Sequence, residues 1–150
     1  MPFSAPGPDP WPEHDALFSL YELTLRPHIE AAFGWDEAFQ RRRWAAYADQ
    51  DRRRILVEGV PAGLLVLRRD PDAIHVSLLL LDPAWQGRGL GRRVMERVQT
   101  ETSGLPVTLS CFRGNTRALT FYQGLGYQIS GEDEVFYDLI RPGARHWFGS

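Results

Sequence analysis

The stretch Leu78 to Gln99, LLLLDPAWQGRGLGRRVMERVQ, decides how this chain folds. Leu78 to Leu81 is an apolar run of strand length, and Asp82-Pro83 ends it because proline donates nothing to a sheet ladder. Gln86-Gly87-Arg88-Gly89-Leu90-Gly91 follows, and a helix opens at once. Leu90, Val94, Met95 and Val98 fall at helical spacing, while Arg92, Arg93, Glu96 and Arg97 take the other face. Strand, glycine-rich turn and helix start together make an anion cradle. Glycines let the backbone approach a phosphate with no Cβ in the way. The first N–H groups of a helix lack intrahelical partners, and the helix dipole favours negative charge there. Arg88, Arg92 and Arg93 surround the mouth with fixed positive charge.

The spacing excludes two phosphate-binding rivals. It is G-x-G-x-G rather than the dinucleotide G-x-G-x-x-G, and no Asp or Glu stands about 20 residues further on. No Lys-Ser/Thr pair follows, and the chain contains no lysine, so a P-loop is excluded. The remaining reading without a ligand is a plain glycine-rich connection. Gln86, Gly89 and Gly91 resemble the Gln/Arg-x-x-Gly-x-Gly/Ala motif with which the GNAT N-acetyltransferase superfamily binds acetyl-CoA.

Composition bounds the remaining classes. A chain of 150 residues, 43% hydrophobic and 12% aromatic, can bury the core of a globular domain. A net charge of −2 leaves no electrostatic footprint for nucleic acid or an anionic membrane. The single cysteine, Cys111, rules out an internal disulfide framework and fits a reducing compartment. No apolar run approaches the ~20 residues of a membrane span, and the N-terminus lacks a signal-peptide pattern. A cytoplasmic protein is expected.

Along the chain, residues 1–12 carry five prolines and read as an extended arm preceding a domain over 13–150. A helix is expected from about Glu13 to Ala31, ended by Gly34, and a second from Asp36, as N-cap, to Tyr47. Arg41-Arg42-Arg43 within it reads as a solvated face. Strands are expected over Arg54 to Val60 and Ala62 to Leu67, with a turn near Gly59-Val60-Pro61. A turn at Asp70-Pro71-Asp72 leads to a strand from Ala73 to Leu81. After the helix that Gly104 ends, Val107 to Phe112 alternates with a clear strand period. A helix from Thr116 to Gln123 with Asn115 as its cap, and a closing strand pair over Tyr127 to Ser130 and Val135 to Ile140, complete the reading.

A second segment supports the resemblance. Asn115-Thr116-Arg117-Ala118-Leu119-Thr120-Phe121-Tyr122, then Gly124-Leu125-Gly126-Tyr127, is similar to the GNAT pattern N-x-x-A-x-x-F/L-Y followed by G-F/Y. The resemblance covers about residues 13 to 141, and Leu25 to Trp44 resembles a group of members with a Trp-Asp-Glu segment. It implies an α+β fold: a central mixed, mostly antiparallel, twisted sheet flanked by helices. The chain departs from the pattern twice. The proline-rich arm is a poor first strand, and Leu78 stands where the Trp-Asp-Glu group often has glutamate.

Acetyl transfer from a thioester to an amine requires the donor held, the amine deprotonated, the oxyanion stabilised and the thiolate protonated. The resemblance implies that Gln86, Gly87, Arg88, Gly89, Leu90, Gly91 and Arg92 hold the pyrophosphate of acetyl-CoA. It also implies that the pantetheine arm pairs with the backbone of Leu79 and Leu81. Tyr122 is implied as the acid that protonates the thiolate, against a half-buried aromatic. Asn115 would contact the donor, cap its helix, or both. His75, eleven residues before Gln86, is the candidate base, against an exposed strand histidine. Ser77 shares its face. His14, His28 and His146 lack metal-ligand spacing, so no metal is expected.

The resemblance implies acceptor recognition by the N-terminal helices and the last strands, with Glu30, Asp36 and Glu37 as candidate carboxylates and Tyr21 and Trp35 as an aromatic wall. Residues of these types are more often a surface charge or a core aromatic. The expected activity is acetyl-CoA-dependent N-acetylation of a primary amine, small-molecule or peptide, by direct attack in a ternary complex. The alternative is a module that senses acyl-CoA without turnover, and a nucleotide-binding protein is disfavoured by the spacing. The tail Arg145-His146-Trp147-Phe148 suggests a covered surface and a homodimer.

Overall fold

A computed structural model describes residues 14–102 and 104–143. The proline-rich arm and the aromatic tail lie outside these residues. The elements run α1 (His14–Phe33), α2 (Glu37–Ala46), β1 (Asp51–Val57), β2 (Val60–Arg69), β3 (Ile74–Leu81), α3 (Leu90–Glu101), β4 (Val107–Phe112), α4 (Thr116–Gly124), β5 (Gln128–Glu132) and β6 (Phe136–Arg141). The six strands form one mixed sheet in the order β1-β2-β3-β4-β6-β5. β3 and β4 pair in parallel, while β1–β2, β4–β6 and β5–β6 are antiparallel. A parallel pair needs a crossover, and the glycine loop and α3 supply it. No helix among the described residues is long and apolar enough to cross a membrane.

Contacts divide the described chain into two units, residues 14–67 with 78–91, and residues 68–77 with 92–143. In the first, Gly34 adopts φ +80° and its N–H donates to Glu30 O, which ends α1. Asp36 caps α2 by accepting from the Phe39 N–H. Phe18, Tyr21, Trp35 and Trp44 pack ring against ring between these helices, with Trp44 fully buried. Each such aromatic removes roughly 150–250 Å² from water, several kcal/mol at ~25 cal/mol per Å². Arg41, Arg42 and Arg43 are exposed as expected.

β2 is buried continuously from Ala62 to Leu67, the pattern of a strand covered on both faces. The hairpin into it differs from expectation. The turn is Glu58-Gly59, both at positive φ, so that Val57 faces Val60 and Pro61 lies inside the strand. Pro61 stands opposite Leu56, where the register shifts, the kind of irregularity at which a strand tolerates proline. β1 also begins at Asp51 rather than Arg54. Arg53 is buried there because Asp51 accepts from its guanidinium Nε and Nη2 at 3.3 and 3.1 Å.

In the second unit, β4 alternates as read, with Val107, Leu109 and Cys111 buried. Asn115 caps α4 by accepting from the Ala118 N–H at 3.1 Å. Asp133 forms the β5–β6 turn by accepting from the Val135 and Phe136 N–H groups at 2.7 Å. The register pairs Thr108 with Ile140 and Ser110 with Asp138 on one face, and Leu109 with Leu139 on the other.

Candidate functional site

The glycine loop belongs to the first unit and is anchored at both ends. At its start, Asp82 N–H donates to Ala62 O at 2.8 Å, and the Asp82 carboxylate accepts from Ala84 N–H at 2.9 Å. Pro83–Trp85 thereby forms a 3-10 turn that the sequence reading did not anticipate. Gln86 Nε2 then donates to Leu81 O at 3.0 Å, tying the loop back to the end of β3. The glutamine of the motif is therefore a structural clasp. Arg88 donates to Ala84 O, and its guanidinium lies 4.5 Å from the centre of the Trp85 ring.

Gly87 and Gly89 sit at φ +72° and +80°, which a residue with a Cβ adopts only with strain. A Cβ on Gly89 would meet nothing within 4 Å. The glycine is thus required by backbone conformation, and the space beside it stays open. The N–H groups of Gly87, Arg88 and Gly89 have no hydrogen-bond partner among the described residues. Leu90 and Gly91 are buried at the helix start, while Arg92, at the edge of the second unit, pairs with Glu96 at 3.3 Å. A buried helix start beneath exposed, unpartnered amides suits an oxyanion ligand.

β3 alternates strictly, with Leu78 and Leu80 buried and Leu79 and Leu81 half-buried. Its pairing with β4 covers Ile74 to Val76 only. Gly63 lies against it so closely that a Cβ there would overlap Leu80 O. The backbone that leads into the loop is held by that close approach.

The second unit carries the titratable candidates. Tyr122, from α4, packs at 5.0 Å against the Phe121 ring and at 5.6 Å against the Tyr127 ring, edge to face. Burial, then the neighbouring Tyr127 and Cys111, push its hydroxyl well above the ordinary tyrosine range. That hydroxyl has no hydrogen-bond partner among the described residues. Tyr127, by contrast, accepts from Gln99 at 3.3 Å. The Tyr122 side chain is half-buried, its ring packed and its hydroxyl bonded to no other described residue.

His75 is half-buried, and its Nδ1 hydrogen-bonds with Thr108 Oγ1 at 2.9 Å. Burial lowers its pKa below the ordinary histidine value, and Arg68 adds to this, while Asp70 and Asp138 oppose it. The imidazole is therefore neutral at pH 7. Ser110 donates to Asp138 at 2.9 Å on the same face, a pair the sequence reading missed. The alternation of β4 already put Ser110 beside Thr108, but only the register of β6 brings in Asp138.

The residues expected to meet an acceptor are engaged within the first unit. Tyr21 is buried and donates to Gln40, and burial pushes its hydroxyl up to about 12. Glu30 accepts from Arg26, Asp36 caps α2, and Glu37 accepts from Trp35 and Arg41. The Arg26 guanidinium lies 4.9 Å from the centre of the Trp35 ring. Together they join α1 to α2. Among the described residues no group of three or more His, Cys, Asp or Glu could hold a metal ion.

Comparison with known proteins agrees with this geometry. Residues 26–141 match the model of the acetyltransferase (GNAT) domain. The chain is 29% identical over 129 residues to the peptidyl-lysine N-acetyltransferase YjaB of Salmonella typhimurium, covering 86% of this chain and 75% of that one. It is 35% identical over 77 residues to the N-alpha-acetyltransferase RimI of Mycobacterium tuberculosis, covering 51% of this chain and 49% of that one. The crystal structure of PaiA N-acetyltransferase from Thermoplasma acidophilum, in complex with coenzyme A, superposes with a TM-score of 0.74, covering 95% and 99% of the two chains. At 12% identity that last likeness concerns the fold. The chain belongs to the GNAT acetyltransferase domain family.

Proposed function

We propose that this acetyltransferase transfers the acetyl group of acetyl-CoA to a primary amine by direct attack, with no acetyl-enzyme intermediate. Cys111 is buried with its thiol pKa raised by burial, which makes it a poor nucleophile. The observation that carries the reading is the half-buried Tyr122 hydroxyl, which its surroundings hold protonated and which is hydrogen-bonded to nothing among the described residues.

In this mechanism the amides of Gly87, Arg88, Gly89, Leu90 and Gly91, with Arg92, hold the pyrophosphate, and Gln86 keeps the loop in place. Beyond the end of its pairing with β4, the backbone of Leu79 and Leu81 takes the pantetheine arm as an added strand and offers an amide to the oxyanion. His75 accepts the ammonium proton. This requires the tautomer in which Nδ1–H donates to Thr108, leaving the Nε2 lone pair available. The amine then attacks the thioester carbonyl, the C–N bond forms and the C–S bond breaks. Tyr122 donates its proton to the leaving thiolate, the second nitrogen proton of the tetrahedral intermediate is released to water as the neutral amide forms, and solvent restores the Tyr122 proton. Asn115 holds the start of α4, and so the position of Tyr122 in the next turns.

The relatives named for peptidyl-lysine and N-alpha acetylation favour a peptide amine as acceptor. A panel of lysine peptides, peptides with free N-termini and small amines, each with acetyl-CoA, tests the reading by release of coenzyme A. Turnover of any panel member with one coenzyme A released per acetylated amine supports it. Acetyl-CoA binding with no release across the panel contradicts it.

A further inference from the structure

The second unit presents a polar face that the mechanism above uses only in part. His75, Thr108, Ser110 and Asp138 lie on it in register: His75 pairs with Thr108, and Ser110, two residues along β4, pairs with Asp138. Four of the eight described carboxylates of this unit pair with arginine, Asp70 with Arg68, Glu96 with Arg92, Glu101 with Arg97 and Glu132 with Arg113. Asp138 does not. Among the described residues its carboxylate meets Ser110, which donates to Oδ1 at 2.9 Å, and no cation. Its other oxygen faces Gly131, where a Cβ would stand 3.4 Å from Oδ2. Gly131 sits at a register shift in β5 and carries no side chain to cover that oxygen. Asp138 is thus an exposed carboxylate oriented through one oxygen and open at the other, the form in which a carboxylate takes a cationic hydrogen-bond donor.

We propose that Asp138, oriented by Ser110 and left uncovered by Gly131, is the carboxylate that binds the positively charged amine of the acceptor. The inference rests on the acetyltransferase reading and names the specificity determinant of that same site. An aliphatic amine arrives as an ammonium ion. Asp138 selects it over neutral nucleophiles, and His75, on the same face, takes its proton. Asp138 binds, and it does not itself exchange protons with the acceptor.

The test titrates the full chain, saturated with coenzyme A, with a lysine peptide and with the same peptide Nε-acetylated. The backbone amide shifts of Ser110, Gly131 and Asp138 are followed. The lysine peptide should move these signals saturably and the acetylated peptide should not. Asp138→Asn should weaken binding about tenfold, consistent with loss of one charge-assisted hydrogen bond. Gly131→Val should do the same at unchanged net charge by covering Oδ2. In turnover, both variants should raise KM for the lysine peptide and leave kcat within about threefold. Equal shifts from the two peptides, or full binding retained in Asp138→Asn and Gly131→Val, would overturn the proposal. Acetyl-CoA affinity, measured separately, decides the underlying reading. Its absence in the wild type sinks the acetyltransferase mechanism, whereas its presence alongside unchanged lysine-peptide binding in the variants sinks only the role of Asp138.

Discussion

Tyr122→Phe should make this protein more stable and nearly inactive. The substitution removes one oxygen and keeps the ring, so the contacts with Phe121 and Tyr127 survive. A fully buried hydroxyl without a partner costs ~1–3 kcal/mol relative to an apolar atom in its place. Tyr122 retains part of its surface exposed, so the lower end applies, about 1 kcal/mol of added stability. For a chain of this size that raises Tm by ~2–4 °C. Loss of the proton donor should lower kcat by ~10²–10³-fold, the usual contribution of general acid catalysis. Thermal unfolding by circular dichroism reads the first effect, and chromatographic measurement of released coenzyme A over pH 6 to 9 reads the second. A variant that loses stability would mean the hydroxyl has a native partner. Unchanged turnover would mean that another group protonates the thiolate.

Three further predictions concern the elements around that chemistry. Gly63→Ala should destabilise the fold by ~2–4 kcal/mol, because its Cβ would overlap Leu80 O and stand 3.1 Å from Leu81 Cδ2. Denaturant unfolding measures it, and a loss under ~0.5 kcal/mol would show that β2 and β3 separate freely. His75 has a lowered pKa, so the base is lost only as pH falls below the ordinary value of about 6.5, and kcat/KM should decline on that acid limb. The folded state then binds fewer protons than the unfolded chain, so stability also declines as pH falls through this window. His75→Gln should remove the acid limb from the activity profile, and an unaltered limb would assign it elsewhere. Asn115→Ala should cost ~1 kcal/mol as α4 loses its cap, with a raised KM for acetyl-CoA if the residue also meets the donor.

The parts legible in the sequence were those where one local rule governs. Leu90, Val94, Met95 and Val98 are all buried at the spacing that named them. Asn115 and Asp36 cap the helices they precede, because a short side-chain oxygen satisfies an orphan N–H whatever the tertiary context. The misreadings came from residues whose meaning depends on a partner. The strand expected from Arg54 begins at Asp51 instead, because Asp51 neutralises Arg53 within β1. Pro61 looked like a turn, yet a register shift holds it inside β2. Asp138 emerged only from the β4–β6 register, a long-range pairing that no local spacing announces.

Calorimetric titration of the full chain with acetyl-CoA, against ATP and NAD, tests the glycine loop most directly. Saturable binding of acetyl-CoA at one site per chain, far tighter than either nucleotide, is the expected result. Gly89→Glu should abolish it by placing a strained residue and a carboxylate among the amides that receive the pyrophosphate. Equal binding of ATP and acetyl-CoA, or full affinity in Gly89→Glu, would contradict the account.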